Sequence, residues 1–136
     1  MGRNIAAAIA GIAIAIGLVW AIESFGHSIY PPPEGLDFAD ADAMRAYTSS
    51  LPIGALLFVA AAWFVGTLAG TYAACRIGTA SPLVFVLIVG GLMLVATTIN
   101  LLMIPHPHWF SALGIIAIMV GTWLGKLLGG KTGNVA

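Results

Sequence analysis

Glu23 and His27 stand four residues apart, a spacing that sets a carboxylate and an imidazole on one face of a helix. Ser24 and Ser28 adjoin them. Further on, Thr97, Thr98 and Asn100 precede the turn Pro105-His106-Pro107-His108. If the fold returns that segment to the depth of Glu23, a carboxylate, up to three imidazoles and an amide meet. Three chemistries suit such a set. Glu23, His27 and Asn100 can bond one another, or carbonyls freed near the prolines, and simply lock the first helix to the third. They can form an ion- or proton-coupled solute site. They can also hold a metal, since imidazole and carboxylate together suit zinc or another divalent ion. Against the metal, His106 and His108 straddle a proline and can point apart. Catalysis needs a nucleophile beside a positioned base. Ser24 and Ser111 qualify only by residue type, so no catalytic residue, cofactor or enzymatic activity is expected.

The elements that position these residues follow from composition. Of 136 residues, 60% are hydrophobic and only 7% are charged, where a soluble domain has about a quarter charged. So few charges cannot clothe a water-soluble surface, and lipid must be the solvent for most of the chain. Net charge is zero, which removes the basic face a nucleic-acid partner requires. The lone Cys75 excludes an internal disulfide and a multi-cysteine metal site. It reads as a small apolar residue at a helix end.

About 20 apolar residues cross a hydrocarbon core, and in lipid such a run closes its own hydrogen bonds as a helix. The sequence predicts four spans, at about 5–29, 51–75, 82–104 and 109–128, in one transmembrane domain over 1–136. The third and fourth are divided by Pro105 and Pro107, which remove donors from the ladder. The first run is longer than a signal-peptide core and lacks a small-x-small cleavage site, so it reads as a retained span. Gly2 lacks the context for myristoylation because position 6 is Ala.

With four spans, Arg3, Arg76, Lys126 and Lys131 fall on one side. Arg45 falls on the other, with Glu34, Asp37, Asp40 and Asp42. The positive-inside rule then makes both termini cytoplasmic. Trp20, Trp109 and Trp123 mark interfaces, while Trp63 lies mid-span and should pack on a neighbour. The outer loop, about 30–50, leaves the first span through Tyr30-Pro31-Pro32-Pro33, a stiff extended exit. Asp37 or Asp40 can cap a short helix at about 39–48. Phe38, Met44, Tyr47 and Leu51 could then lie on the membrane surface. The aspartates lack the glycine and distal Glu of a calcium loop.

Two ridges of small residues run along the second and fourth spans: Ala62, Gly66, Gly70 and Ala74, then Ala117, Gly121, Gly125 and Gly129. Ala6, Ala10 and Gly11 add a shorter one on the first span. Such ridges let backbones approach closely, either within one bundle or towards a second copy or larger membrane complex. The string Val-Gly-Thr-x-x-Gly recurs at Val65–Gly70 and Val120–Gly125, as two duplicated hairpins would produce.

The strings Glu23-Ser-Phe-Gly-His27, Tyr30-Pro-Pro-Pro33, Leu51-Pro-Ile-Gly54 and Asn100-Leu-Leu-Met-Ile-Pro105-His106-Pro107 resemble a family of uncharacterised bacterial four-helix membrane proteins. The resemblance spans nearly the whole chain and implies a bacterial inner membrane. Small multidrug resistance transporters also combine four short helices with a first-helix carboxylate. Theirs lies near mid-membrane, whereas Glu23 lies towards the outer end. The expectation is an all-α, four-span bundle that assembles with itself or as an accessory subunit through its glycine ridges. The alternative is a small transporter or metal-binding protein built on the outer Glu/His/Asn cluster.

Overall fold

The computed structural model describes residues 1–130; Lys131, counted above among the cations of one side, lies outside them. The fold is all-helical. Its elements are α1 (Gly2–Ile29), α2 (Ala41–Ser50), α3 (Ile53–Ile77), α4 (Pro82–Met103) and α5 (His108–Gly129). All but α2 are long and apolar enough to cross a bilayer, so this is a multi-pass membrane protein.

The helix boundaries have local causes. Leu51 precedes a proline, which excludes it from helical geometry, and it adopts φ −63°, ψ 133°. The second span therefore begins at Ile53 rather than at 51. The short helix begins at Ala41 rather than 39 because Asp40 is its cap: one carboxylate oxygen accepts from the N–H groups of Asp42 (2.9 Å) and Ala43 (3.2 Å). Asp37 instead closes the turn before it, accepting from the Ala39 N–H at 2.9 Å. Within α4 one wide turn, Val86–Gly90, carries the Gly91 N–H past its usual partner to the Val86 carbonyl.

The central helix is α3. It runs antiparallel to α1 and parallel to α5, and both small-residue ridges are consumed in these two seams. A Cβ at Gly66 would lie 2.7 Å from the Ala15 carbonyl oxygen, and one at Gly70 would collide with the Gly11 carbonyl. A Cβ at Gly121 would lie 2.7 Å from the Phe64 carbonyl oxygen, and Gly125 and Gly129 meet the Leu68 and Tyr72 carbonyls. Ala62 and Ala74 are fully buried and Ala117 half-buried. On α1 the buried line is Ala7, Gly11 and Ala15, with Ala8. This corrects the expected Ala6/Ala10 pair, of which Ala6 is exposed.

The two ridges thus face different partners. A twofold exchange of hairpins would turn Gly121 towards α4, as Gly66 turns towards α1, yet Gly121 packs on α3. The repeated string therefore serves a stack in which α3 lies on α1 and α5 on α3. Elsewhere Phe85, Val89, Phe110 and Ile118 fill the core, while Leu87, Leu102 and Trp123 point outward, where lipid would cover them.

Where α1 begins, Asn4 holds the α3–α4 turn. Its Oδ1 accepts from the Thr79 N–H (2.8 Å), the Thr79 hydroxyl (3.1 Å) and the Ala80 N–H (3.1 Å), while Arg3 Nε donates to the Ile77 carbonyl at 2.7 Å. Asn4→Ala should lower stability by about 1–2 kcal/mol, and Asn4→Asp, which keeps the acceptor, should restore most of it. Thermal unfolding in detergent measures this; equal midpoints for Asn4→Ala and the parent would remove the clamp from the account.

Candidate functional site

The buried line of α1 (Ala7, Gly11, Ala15) continues in steps of four through Val19 to Glu23, so the carboxylate arrives facing α3. There Glu23 Oε1 accepts a hydrogen bond of 3.0 Å from the indole N–H of Trp63. Trp63 is 5% exposed and lies tilted on Phe110, with ring centroids 5.5 Å apart. Its ring fits because position 114 is glycine: a Cβ there would stand 2.5 Å from the ring.

Glu23 and Trp63 share one cleft of about 200 Å³ with His27, Tyr47, Asn100 and His106. Helix α2 supplies part of its wall through Met44, Tyr47 and Thr48, and Phe38 closes it further. A smaller recess of about 40 Å³ adjoins it, walled by Tyr30 and Phe58 and again touching Glu23, His27 and Tyr47. The capped α2 is thus part of the wall beside Glu23, and Asp40 positions it.

His106 stacks on Phe110 at 5.0 Å and its Nδ1 lies 2.7 Å from the Ile104 carbonyl oxygen. A carbonyl only accepts, so Nδ1 carries the hydrogen and Nε2 is the acceptor of the neutral ring. Burial pushes His106 below the ordinary histidine range, opposed in part by that same bond.

Four of the five expected cluster residues come together around the cleft: Glu23, His27, Asn100 and His106. His108 does not. It lines a separate crevice with Arg45, which His106 also borders, so His106 stands at both cavities and His108 at one. The expected bond of Glu23 to Asn100 is replaced by the one to Trp63, with Asn100 forming another part of the wall. Ser24 and Ser111 do not line the cleft. Among the described residues, no three His, Cys, Asp or Glu side chains come together to hold a metal ion.

In the sequence Trp63 reads only as a packing residue. A signal is nonetheless present, since an indole N–H in an apolar span needs an acceptor and Glu23 needs a donor. Two threonines carry no such signal. Thr67 and Thr71 follow Trp63 at four-residue steps, are fully buried, and their hydroxyls find no hydrogen-bond partner among the described residues. Thr122 shows the usual solution, donating to the Ile118 carbonyl at 2.7 Å.

In comparisons with known proteins, no family model, curated protein or solved structure matches this chain. The site must therefore be read from its chemistry. It offers one carboxylate, held through one oxygen, beside three aromatic side chains, two imidazoles and an amide. The carboxylate and the aromatic side chains of Trp63, Tyr47 and Phe38 are the groups with which this wall could meet a compact organic cation.

Proposed function

We propose that this protein binds a small organic ammonium ion in the cleft at Glu23, entered from the α2 side of a bacterial inner membrane, with both termini cytoplasmic. The observation that supports it is the pairing of Glu23 with Trp63 at the wall of an aromatic cleft. A carboxylate placed near the end of a membrane span is costly unless paired, and a cationic guest offsets that cost. The sidedness rests on charge. Arg3, Arg76 and Lys126 gather where α1 begins and α3 and α5 end, while Glu34, Asp37, Asp40 and Asp42 outnumber Arg45 at the α2 end. Assembly with another chain draws no support from the glycine ridges, because both are occupied inside the bundle.

The test is a titration of the detergent-solubilised protein with tetramethylammonium, followed by the indole N–H resonance of Trp63. A saturable shift is expected, and Glu23→Gln should weaken it at least tenfold, about 1.4 kcal/mol, with helicity unchanged. No saturable shift in the parent protein, or equal affinity in Glu23→Gln, would overturn the proposal.

A further inference from the structure

On the other side of Thr48 and His106 from the Glu23 cleft, a second and more open crevice of about 400 Å³ lies between the end of α2 and the α4–α5 turn. Its lining has the opposite electrostatic character. Arg45 enters from α2, His106 and His108 from the turn, and Pro105 and Pro107 hold that turn rigid. Among the described residues no carboxylate lines it. Outside the lining, the Asp42 carboxylate stands 3.7 Å from the Arg45 guanidinium; both side chains are largely exposed, so the pair is weak and leaves Arg45 able to turn. The crevice also opens at the start of α5. Pro107 is the cap residue there and no side chain among the described residues caps the helix; the Phe110 and Ser111 N–H groups bond the Pro107 carbonyl, which leaves those of His108 and Trp109 as donors with the dipole of a 22-residue helix behind them.

We propose that this crevice is a phosphate site, in which the Arg45 guanidinium and the His108 imidazole hold a phosphate oxyanion against the N-terminus of α5. This goes beyond the ammonium reading and does not depend on it. Arginine is suited to the task because its planar fork meets two phosphate oxygens at once. His106 contributes more conditionally. Its Nδ1 hydrogen is committed to the Ile104 carbonyl, so its Nε2 donates only after taking up a second proton, which a bound oxyanion favours. The hydroxyls of Thr48 and Ser49 already donate to backbone carbonyls within α2, so they shape the wall rather than bind. The same phosphate chemistry occurs in free inorganic phosphate and in a phospholipid headgroup, and α2 lies at the end of the spans where headgroups would reach it.

The histidine ring protons provide the readout, since the chain has three histidines that single substitutions can assign. In a phosphate-free maltoside detergent, the protein is titrated separately with inorganic phosphate and with short-chain phosphatidylglycerol. The expected result is a saturable movement of the His108 resonance with little movement of His27, lost in Arg45→Gln. A response to both ligands marks a general phosphate site, and a response to the lipid alone marks a headgroup site. The lipid arm carries one control: movement that persists in Arg45→Gln reflects the micelle surface and counts against the site. No movement of His108 with either ligand, or equal movement in the parent protein and Arg45→Gln, would overturn it. Glu23→Gln should leave the phosphate response intact, so failure here and failure of the ammonium reading are separable.

Discussion

Gly70→Leu should abolish the native bundle, whereas Gly17→Ala, in the facing helix α1, should leave it intact or slightly more stable. Both glycines lie within apolar spans, but their surroundings in space are opposite. A Cβ at Gly70 collides with the Gly11 carbonyl oxygen and would stand 2.7 Å from the Ala15 Cβ. The Gly11 carbonyl is backbone inside α1 and cannot rotate away. Even Ala at position 70 should therefore cost about 1–3 kcal/mol through overpacking, and Leu forces the α1–α3 seam apart. At Gly17 nothing among the described residues lies within 4 Å of the added atom, so alanine's better helix propensity, worth about 1 kcal/mol at most, is what remains. Unfolding of the purified protein by a denaturing detergent, followed by helicity and near-UV dichroism, measures both. Equal midpoints for Gly70→Leu and the parent would mean that the helices do not meet along this line.

Trp63→Ala should be the second most damaging single change, with a loss on the order of 3 kcal/mol. Two separate effects combine in it. The ring wedges between α1 and α5, touching Phe110 and the space left by Gly114, so its removal leaves a void that the small residues around it cannot fill. The change also removes the donor to Glu23, leaving a half-buried carboxylate without its hydrogen bond. Trp63→Phe separates the two effects. It keeps most of the packing and loses only the N–H, so about 1–3 kcal/mol is expected from the hydrogen bond. Glu23→Leu, which removes the acceptor that Gln would keep, and Trp63→Phe should together lose less than the sum of the singles. Strict additivity in thermal unfolding would show that the 3.0 Å contact contributes nothing to stability.

Much of this molecule is legible in its sequence. Charge-free runs of sufficient length can exist in lipid only as helices, so the four spans and the short α2 follow from chemistry that acts within a few residues. Pro52, Pro105 and Pro107 and the capping Asp40 act locally too, and the helix ends fall within two or three residues of expectation. The ridge positions on α3 and α5 are also evident, because close approach demands small side chains at that spacing.

Tertiary structure decided which faces meet. Sequence could list Glu23, His27, Asn100, His106 and His108 as polar, but not that His106 borders both cavities while His108 borders only the outer crevice. That separation depends on how the Pro105–Pro107 turn seats against α2. Nor could it select Trp63 over Asn100 as the partner of Glu23, because both satisfy a carboxylate equally well and the choice rests on the rotation of α3 against α1. The ridges show the same division: periodicity revealed that two helices could approach closely, and only packing showed that α3 turns its ridge to α1 and α5 turns its ridge to α3. Spacing along one helix is set by covalent geometry, whereas the pairing of faces is set by the fit of whole surfaces, and no local stretch of residues contains that fit.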